Sequence, residues 1–352
     1  MKNIALMSQG FLERNLIPDP VIRFGIRGLL KSKLKNEGRG GVAAAQQRLK
    51  EVVEEMKSST IALNTTEANQ QHYEVPTEFF RYVMGKHMKY SCGYWKKGVT
   101  DFDQSEEDML FLTCGRADLC DGQDVLDLGC GWGSLTLYMA EKFPGSRITG
   151  VSNSRTQKEY IEDQAKARGL TNVTIRTADM NDFEAPGRYD RVVSIEMFEH
   201  MRNYKELLQR IAGWLKDDGK LFIHIFTHRK YTYFYTVDDG GYDWMARYFF
   251  TGGIMPSDDL LYHFQDDFAI AEHWQVPGTH YQKTSEGWLR NMDAHKVEIM
   301  PILRQTYGEQ EYRKWWVYWR VFFMACAELW GYDNGREWLV SHYQLKKKVK
   351  HG

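Results

Sequence analysis

Apolar residues recur every three to four positions between 21 and 34 (VIRFGIRGLLKSKL). This places Ile22, Ile26, Leu29, Leu30 and Leu34 close to one helical stripe, with basic residues between them. Packing of that stripe on the main body is the expectation. A membrane surface is the alternative, since basic amphipathic helices also lie on lipid. Residues 37–41 (EGRGG) break the pattern, and 42–58 reads as a second, more polar helix before the loop 64–67. Residues 1–75 are therefore expected to form an N-terminal helical extension. From Asp121 the period changes. A turn at Gly122 opens the short apolar run 125–128, which reads as a buried strand, and a helix follows to about Lys142. Residues 147–151, 173–176, 189–195 and 221–225 read as further strands, and 155–168 and 204–215 as helices, the latter stopped by Asp218-Gly219. Strands alternating with helices every 20–30 residues predict an α/β fold with a doubly wound, mostly parallel sheet. Two later runs, 269–276 and 338–345, complete it. The intervening stretches 229–268 and 277–335 exceed ordinary connections and are expected to cover the carboxyl edge of the sheet.

These patterns divide the chain into the extension (1–75), a cofactor-binding core (76–228), substrate-covering insertions around strand 269–276 (229–335), and a last strand with a basic tail (336–352). The 352 residues suffice to bury a core without staples. Lys and Arg number 46 against 47 Asp and Glu, so no global field is available to hold nucleic acid. The five scattered cysteines form no Cys-x-x-Cys pair and fit a reducing, cytoplasmic setting. No apolar run is long enough for a membrane span, and the N-terminus is a poor signal peptide. Aromatics are abundant: 18 Phe, 11 Trp and 20 Tyr, or 14 %. Many fall at 231–250 and 312–332, where they can fill a core or wall a pocket for a flat or cationic ligand.

Candidate chemistry begins at 125–133, VLDLGCGWG. Glycines between a strand and a helix permit a tight turn and close approach of a ligand to the backbone. Asp127, just before them, suits an ammonium group better than a pyrophosphate, which prefers a bare helix N-terminus. This loop resembles the first motif of class I S-adenosylmethionine methyltransferases. The ribose-binding acid of a nicotinamide site is absent after the second strand; Asn153, Ser154 and Gln157 stand there instead. Asp179 and Met180 follow the third strand, near where such folds place adenine. After the fourth strand comes Ser194-Ile-Glu196-Met-Phe-Glu199-His200. Ionisable groups at a parallel strand's carboxyl end sit where α/β enzymes bind ligands. If the chain turns helical here, Glu196 and His200 share one face. A metal reading of His224 and His228, at the end of the fifth strand, lacks an evident third ligand.

The segments HYEVPTEFF, MKYSCGYWKKG, VLDLGCGWGSL, GVSNSRTQKEYI and VSIEMFEH, taken in order, are similar to the cyclopropane fatty acid synthase superfamily from about Gln71 onward. Two branches compete: lipid cyclopropane synthases and small-molecule N-methyltransferases of the coclaurine type. Cys92, Glu199 and His224 match three of the four bicarbonate-site positions of the lipid branch. The fourth, a tyrosine, is replaced near Val321-Phe322, and the lipid branch carries glycine where this chain has Glu196. Glu196 matches the coclaurine-type pattern.

That resemblance implies a Rossmann-like class I methyltransferase sheet and transfer of a methyl group from S-adenosylmethionine to a small hydrophobic or aromatic amine. It implies His200, Glu196, Glu199 and Glu74 as acid–base groups. It implies cofactor contacts from Tyr90, Ser91, Asp127, Gly129, Gly131, Gly133, Asn153, Ser154, Gln157, Asp179, Met180 and Ile195. The expected pocket is Tyr73, Phe226, Tyr235, Trp244, Phe249, Tyr318, Trp319 and Phe322, with no metal and no nucleic acid. Assembly as a homodimer is left open. Methylene transfer to an unsaturated lipid and a non-catalytic cofactor-binding module are the alternatives.

Overall fold

The computed structural model describes residues 10–63, 75–237 and 244–348. Helices α1 (Asp19–Glu37) and α2 (Gly41–Ser58) open the chain, separated at Gly40 and Gly41, whose φ angles of 81° and 73° suit glycine. Ile22, Ile26, Leu30 and Leu34 of α1 pack inward as expected, but Leu29 is exposed. One extra residue of rotation carries it off the buried face. Ion pairs fasten α1 to the body: Arg23 reaches Glu286 and Glu328, and Asp19 pairs with Arg320.

Two more helices, α3 (Thr77–Val83) and α4 (Phe102–Arg116), precede the sheet. The alternating core then runs β1 (Asp124–Leu128), α5 (Ser134–Lys142), β2 (Arg147–Ser152), α6 (Arg155–Ala167), β3 (Val173–Thr177), β4 (Tyr189–Ile195), α7 (Tyr204–Trp214) and β5 (Leu215–His228). The fifth strand begins directly after α7 and is longer than the apolar run predicts. Leu215 already pairs with Tyr189, and the ladder shifts register before resuming at Lys220 opposite Arg191. The segment between β5 and β8, expected to cover the sheet edge and termed the lid, holds β6 (Tyr233–Phe234), α8 (Trp244–Tyr248) and β7 (Ile254–Met255). Then come β8 (Phe268–Val276), α9 (Thr279–Ala294), α10 (Lys296–Gly331) and β9 (Trp338–Lys347). Gly308, with φ of 79°, breaks α10 into two helical pieces.

Seven strands form one sheet in the order β3-β2-β1-β4-β5-β9-β8. The first five are parallel; β9 inserts antiparallel between β5 and β8. Parallel strands bury both faces; α4 and α5 cover one of them through Leu110, Leu135 and Met139, and two larger apolar layers adjoin it. One joins α2 and α7 to the sheet, with Met56, Phe198, Tyr204 and Ile211 fully enclosed. The other is the aromatic layer of α3, α9, α10 and the lid, where Phe79, Phe249, Trp288, Tyr318 and Trp319 are buried. Among the described residues no helix is long and apolar enough to cross a membrane.

Candidate active site

Register brings the site together. Leu128 pairs with Ser194, and Ile195 with His224, so the ends of β1, β4 and β5 lie side by side. At the end of β1, Gly129 and Gly133 adopt φ of 79° and 78°. A Cβ at Gly129 would stand 2.6 Å from Met197 Cγ, and one at Gly133 2.6 Å from Ile161 Cγ1. A Cβ at Gly131 meets nothing, so its backbone faces open space. That space is a cavity lined by Tyr90, Ser91, Asp127, Gly129, Gly131, Gln157, Ile195 and Glu196, among others. Gly133, Asn153, Ser154, Asp179 and Met180 lie outside its wall. Ser154 caps α6, accepting from Gln157 N, and Asp179 Oδ1 accepts from Asn181 N in a turn.

Asp127 is buried, and its Oδ2 accepts the Thr136 hydroxyl at 2.7 Å. Burial raises the Asp127 carboxyl to about 6. A cation placed beside it restores the charged form. The same cavity holds buried polar atoms without hydrogen-bond partners: Ser134 Oγ, Gln157 Nε2 and Trp132 Nε1. Such atoms cost free energy unless a ligand satisfies them. A buried carboxylate, a bare backbone loop and unspent donors together fit an amino acid–nucleoside conjugate such as S-adenosylmethionine.

Glu196 does not begin a helix. Its φ is 49°, left-handed, and only a single 3-10 turn follows (Phe198–His200). The expected helical face shared by Glu196 and His200 is therefore not formed. The left-handed residue turns the carboxylate sideways, into the space between the cofactor cavity and the aromatic layer. There Oε1 accepts from Cys92 N at 3.0 Å and lies 3.1 Å from His224 Nε2; Oε2 accepts from the Tyr281 hydroxyl at 2.5 Å. Burial raises Glu196 to about 7, with Lys89 pulling it down. Glu199 is fully buried, accepts from Phe226 N at 2.7 Å, and is pushed well up by desolvation and then by Glu196. The charge of either carboxylate opposes ionisation of the other. Lys89, buried and hydrogen-bonded to Ser91 Oγ, is pulled down by desolvation.

The aromatic wall differs in part from the expected set. The His200 ring lies 4.8 Å from Phe250, which neighbours Phe226 at 5.7 Å and Tyr235 at 4.9 Å. Phe226 in turn lies 5.5 Å from Trp330, and Trp330 stacks on Tyr281 at 4.7 Å. A continuous row of rings thus leads from His200 to the phenol that holds Glu196. Phe249 and Phe322 stack on each other at 4.4 Å, Trp319 packs on Phe79 at 4.8 Å, and the half-buried Trp244 meets Tyr318 at 5.3 Å; these six rings pack within the lid layer. Tyr73 and Glu74 lie outside the described residues. The expectation missed Tyr281 and Trp330, which arrive from α9 and the end of α10 with no local sequence signal. His228 does not join His224. Its Nδ1 accepts from Lys230 N and Tyr231 N, while His224 faces Glu196 and His342.

A family profile described as mycolic acid cyclopropane synthetase matches residues 62–333. The chain belongs to this family. Within it, (S)-coclaurine N-methyltransferase of Papaver somniferum is 40% identical over 96% of this chain and 97% of that protein. The enzyme of the same name from Thalictrum flavum subsp. glaucum is 39% identical over 96% and 94%. A crystal structure of coclaurine N-methyltransferase bound to N-methylheliamine and S-adenosylhomocysteine aligns with a TM-score of 0.93 at 38% identity, covering 97% of this chain and 99% of that one. This member of the family is an S-adenosylmethionine-dependent methyltransferase of the coclaurine N-methyltransferase branch.

Proposed function

We propose that the enzyme methylates the nitrogen of a small hydrophobic, alkaloid-like amine, with Glu196, Glu199 and His200 at the reacting end. One observation carries the placement of chemistry. Glu196 lines the cofactor cavity and, through Tyr281, touches the row of rings that ends at His200. When bound, S-adenosylmethionine supplies an electrophilic methyl on a sulfonium. The protein's task is to hold a neutral nitrogen in line with it, about 3–3.5 Å away. An alkylammonium has no lone pair, so a base is needed, worth about 10²–10⁴-fold. His200 is that base. Glu196 supplies the negative charge that draws the ammonium in, while burial pushes the Glu199 carboxyl up, toward its neutral form. Phe226, Phe250 and Trp330 offer ring faces to the cation, worth roughly 0.5–2 kcal/mol. On sequence alone, Glu74 is assigned to the opposite side of the amine.

Free thiols and balanced charge support a cytoplasmic enzyme acting on small molecules rather than on polynucleotides. The test is S-adenosylhomocysteine formation against amines of graded size, for the wild type and for His200→Ala and Glu196→Ala separately, across pH. Turnover restricted to bulky hydrophobic amines, lost at neutral pH in both variants, is expected. Both variants keeping wild-type rates would overturn the residue roles; no turnover on any amine would overturn the substrate class.

A further inference from the structure

A line of nitrogens leads from Glu196 across β5 and β9 to α4. His224 Nε2 lies 3.1 Å from Glu196 Oε1, His224 Nδ1 lies 2.9 Å from His342 Nε2, and His342 Nδ1 lies 2.8 Å from Arg116 Nη1. His224 and His342 are cross-strand partners in the β5–β9 ladder, which holds their rings 4.5 Å apart. Both are buried, and desolvation drives each well below the ordinary histidine range, so each carries one ring proton. A guanidinium has donors and no acceptor. His342 Nδ1 must therefore accept from Arg116, which leaves its proton on Nε2. That proton is donated to His224 Nδ1, which leaves the His224 proton on Nε2, aimed at the carboxylate. Arg116 is itself placed by Trp274, whose ring lies 5.0 Å from the guanidinium carbon.

We propose that Arg116 and His342 are positioning residues that lock His224 as an Nε2–H donor to Glu196, so that a residue on α4 sets the direction of a hydrogen bond in the active site. The consequence for the reaction rests on Glu196 being the carboxylate that draws in the amine; the direction of the relay does not. With the opposite tautomer, the bare Nε2 of His224 would face Oε1. A proton would then have to sit between them, and the charge of Glu196 would be lost. Other titratable groups also face this carboxylate: Lys89 and Cys92 from the segment before α4, Glu199 after β4, Tyr281 from α9 and Cys326 from α10. His224 differs from them in being hydrogen-bonded to His342 of the next strand, on the side away from the carboxylate.

Nitrogen NMR of the full-length enzyme carrying labelled histidine reads the relay directly. Both His224 and His342 are expected to be protonated on Nε2 and bare on Nδ1. Arg116→Met is expected to scramble that order and to move the acid limb of the kcat/KM profile up by about one pH unit, a tenfold loss of the ionised form. Arg116→Lys keeps a donor and is expected to restore both readouts. Cofactor binding measured by calorimetry, unchanged in both variants, shows that they are folded. A wild-type spectrum with Nδ1 protonated on either ring overturns the lock, whatever amine the enzyme uses. An ordered wild type whose profile stays put in Arg116→Met overturns its part in the reaction. Absence of turnover on every amine would count against the substrate reading alone, since the spectrum is recorded without substrate.

Discussion

Replacing Tyr281 with phenylalanine tests how the charge of Glu196 is controlled. The phenol donates to Glu196 Oε2 at 2.5 Å, while its ring stacks on Trp330 at 4.7 Å. Tyr281→Phe therefore removes one hydrogen bond to the carboxylate and leaves the packing in place. Hydrogen bonds to charged groups contribute about 1.5–3 kcal/mol, and 1.36 kcal/mol corresponds to about one pKa unit. A carboxyl that sits at about 7 with the donor present is expected to rise to roughly 8–9 without it. The sign follows from the bond favouring the ionised form: losing it favours the acid. At pH 7 the ionised fraction then drops from about one half to between roughly a tenth and a hundredth. The expected result is a kcat/KM about 5- to 50-fold lower at pH 7 that recovers as the pH is raised. The assay is S-adenosylhomocysteine release at saturating cofactor over a pH series. An acid limb with the same midpoint in both proteins would refute the claim that Glu196 governs it.

Four further outcomes follow from the geometry. Asp127→Asn is expected to weaken S-adenosylmethionine binding about 10- to 100-fold by calorimetry, since a charge-assisted bond to the ammonium is lost. In the wild type, affinity should fall as pH drops through about 6, where the Asp127 carboxyl takes up its proton. Gly133→Ala forces a Cβ to 2.6 Å from Ile161 Cγ1 at a φ of 78°; cofactor affinity and thermal stability should fall together, read by calorimetry and melting. Trp330→Leu removes a ring face beside Phe226 and Tyr281; the KM for the amine is expected to rise about 3- to 30-fold while cofactor affinity holds.

Much of the cofactor half was legible because its signals are local. The apolar run ending at Leu128 and the three glycines after it are dictated by neighbours within a few residues. A strand end needing positive φ can be read wherever glycine stands. The exception inside that half is instructive. Glu196 is not glycine yet takes φ of 49°, and no local propensity announces that. Three donors from the segment before α4, β5 and α9 stabilise the turned carboxylate and offset the backbone strain. The aromatic counts also pointed at the lid, but which rings meet the site depends on where α10 ends. Trp319 and Phe322 lie inward along its buried face, while Trp330, a few turns later, reaches Tyr281 and Phe226.

By itself the sequence determined the alternating α/β order, the glycine loop with its carboxylate, and the presence of two acids and a histidine after the fourth strand. Each is set by chain-local periodicity or spacing, which folding preserves. Tertiary structure alone decided which of those acids lines the cavity, which tyrosine donates to it, and that Arg116, His342 and His224 stand behind it. Those relations join residues 28 to 226 positions apart in the chain. They arise from desolvation and from strand register, quantities that exist only once the sheet has closed around them.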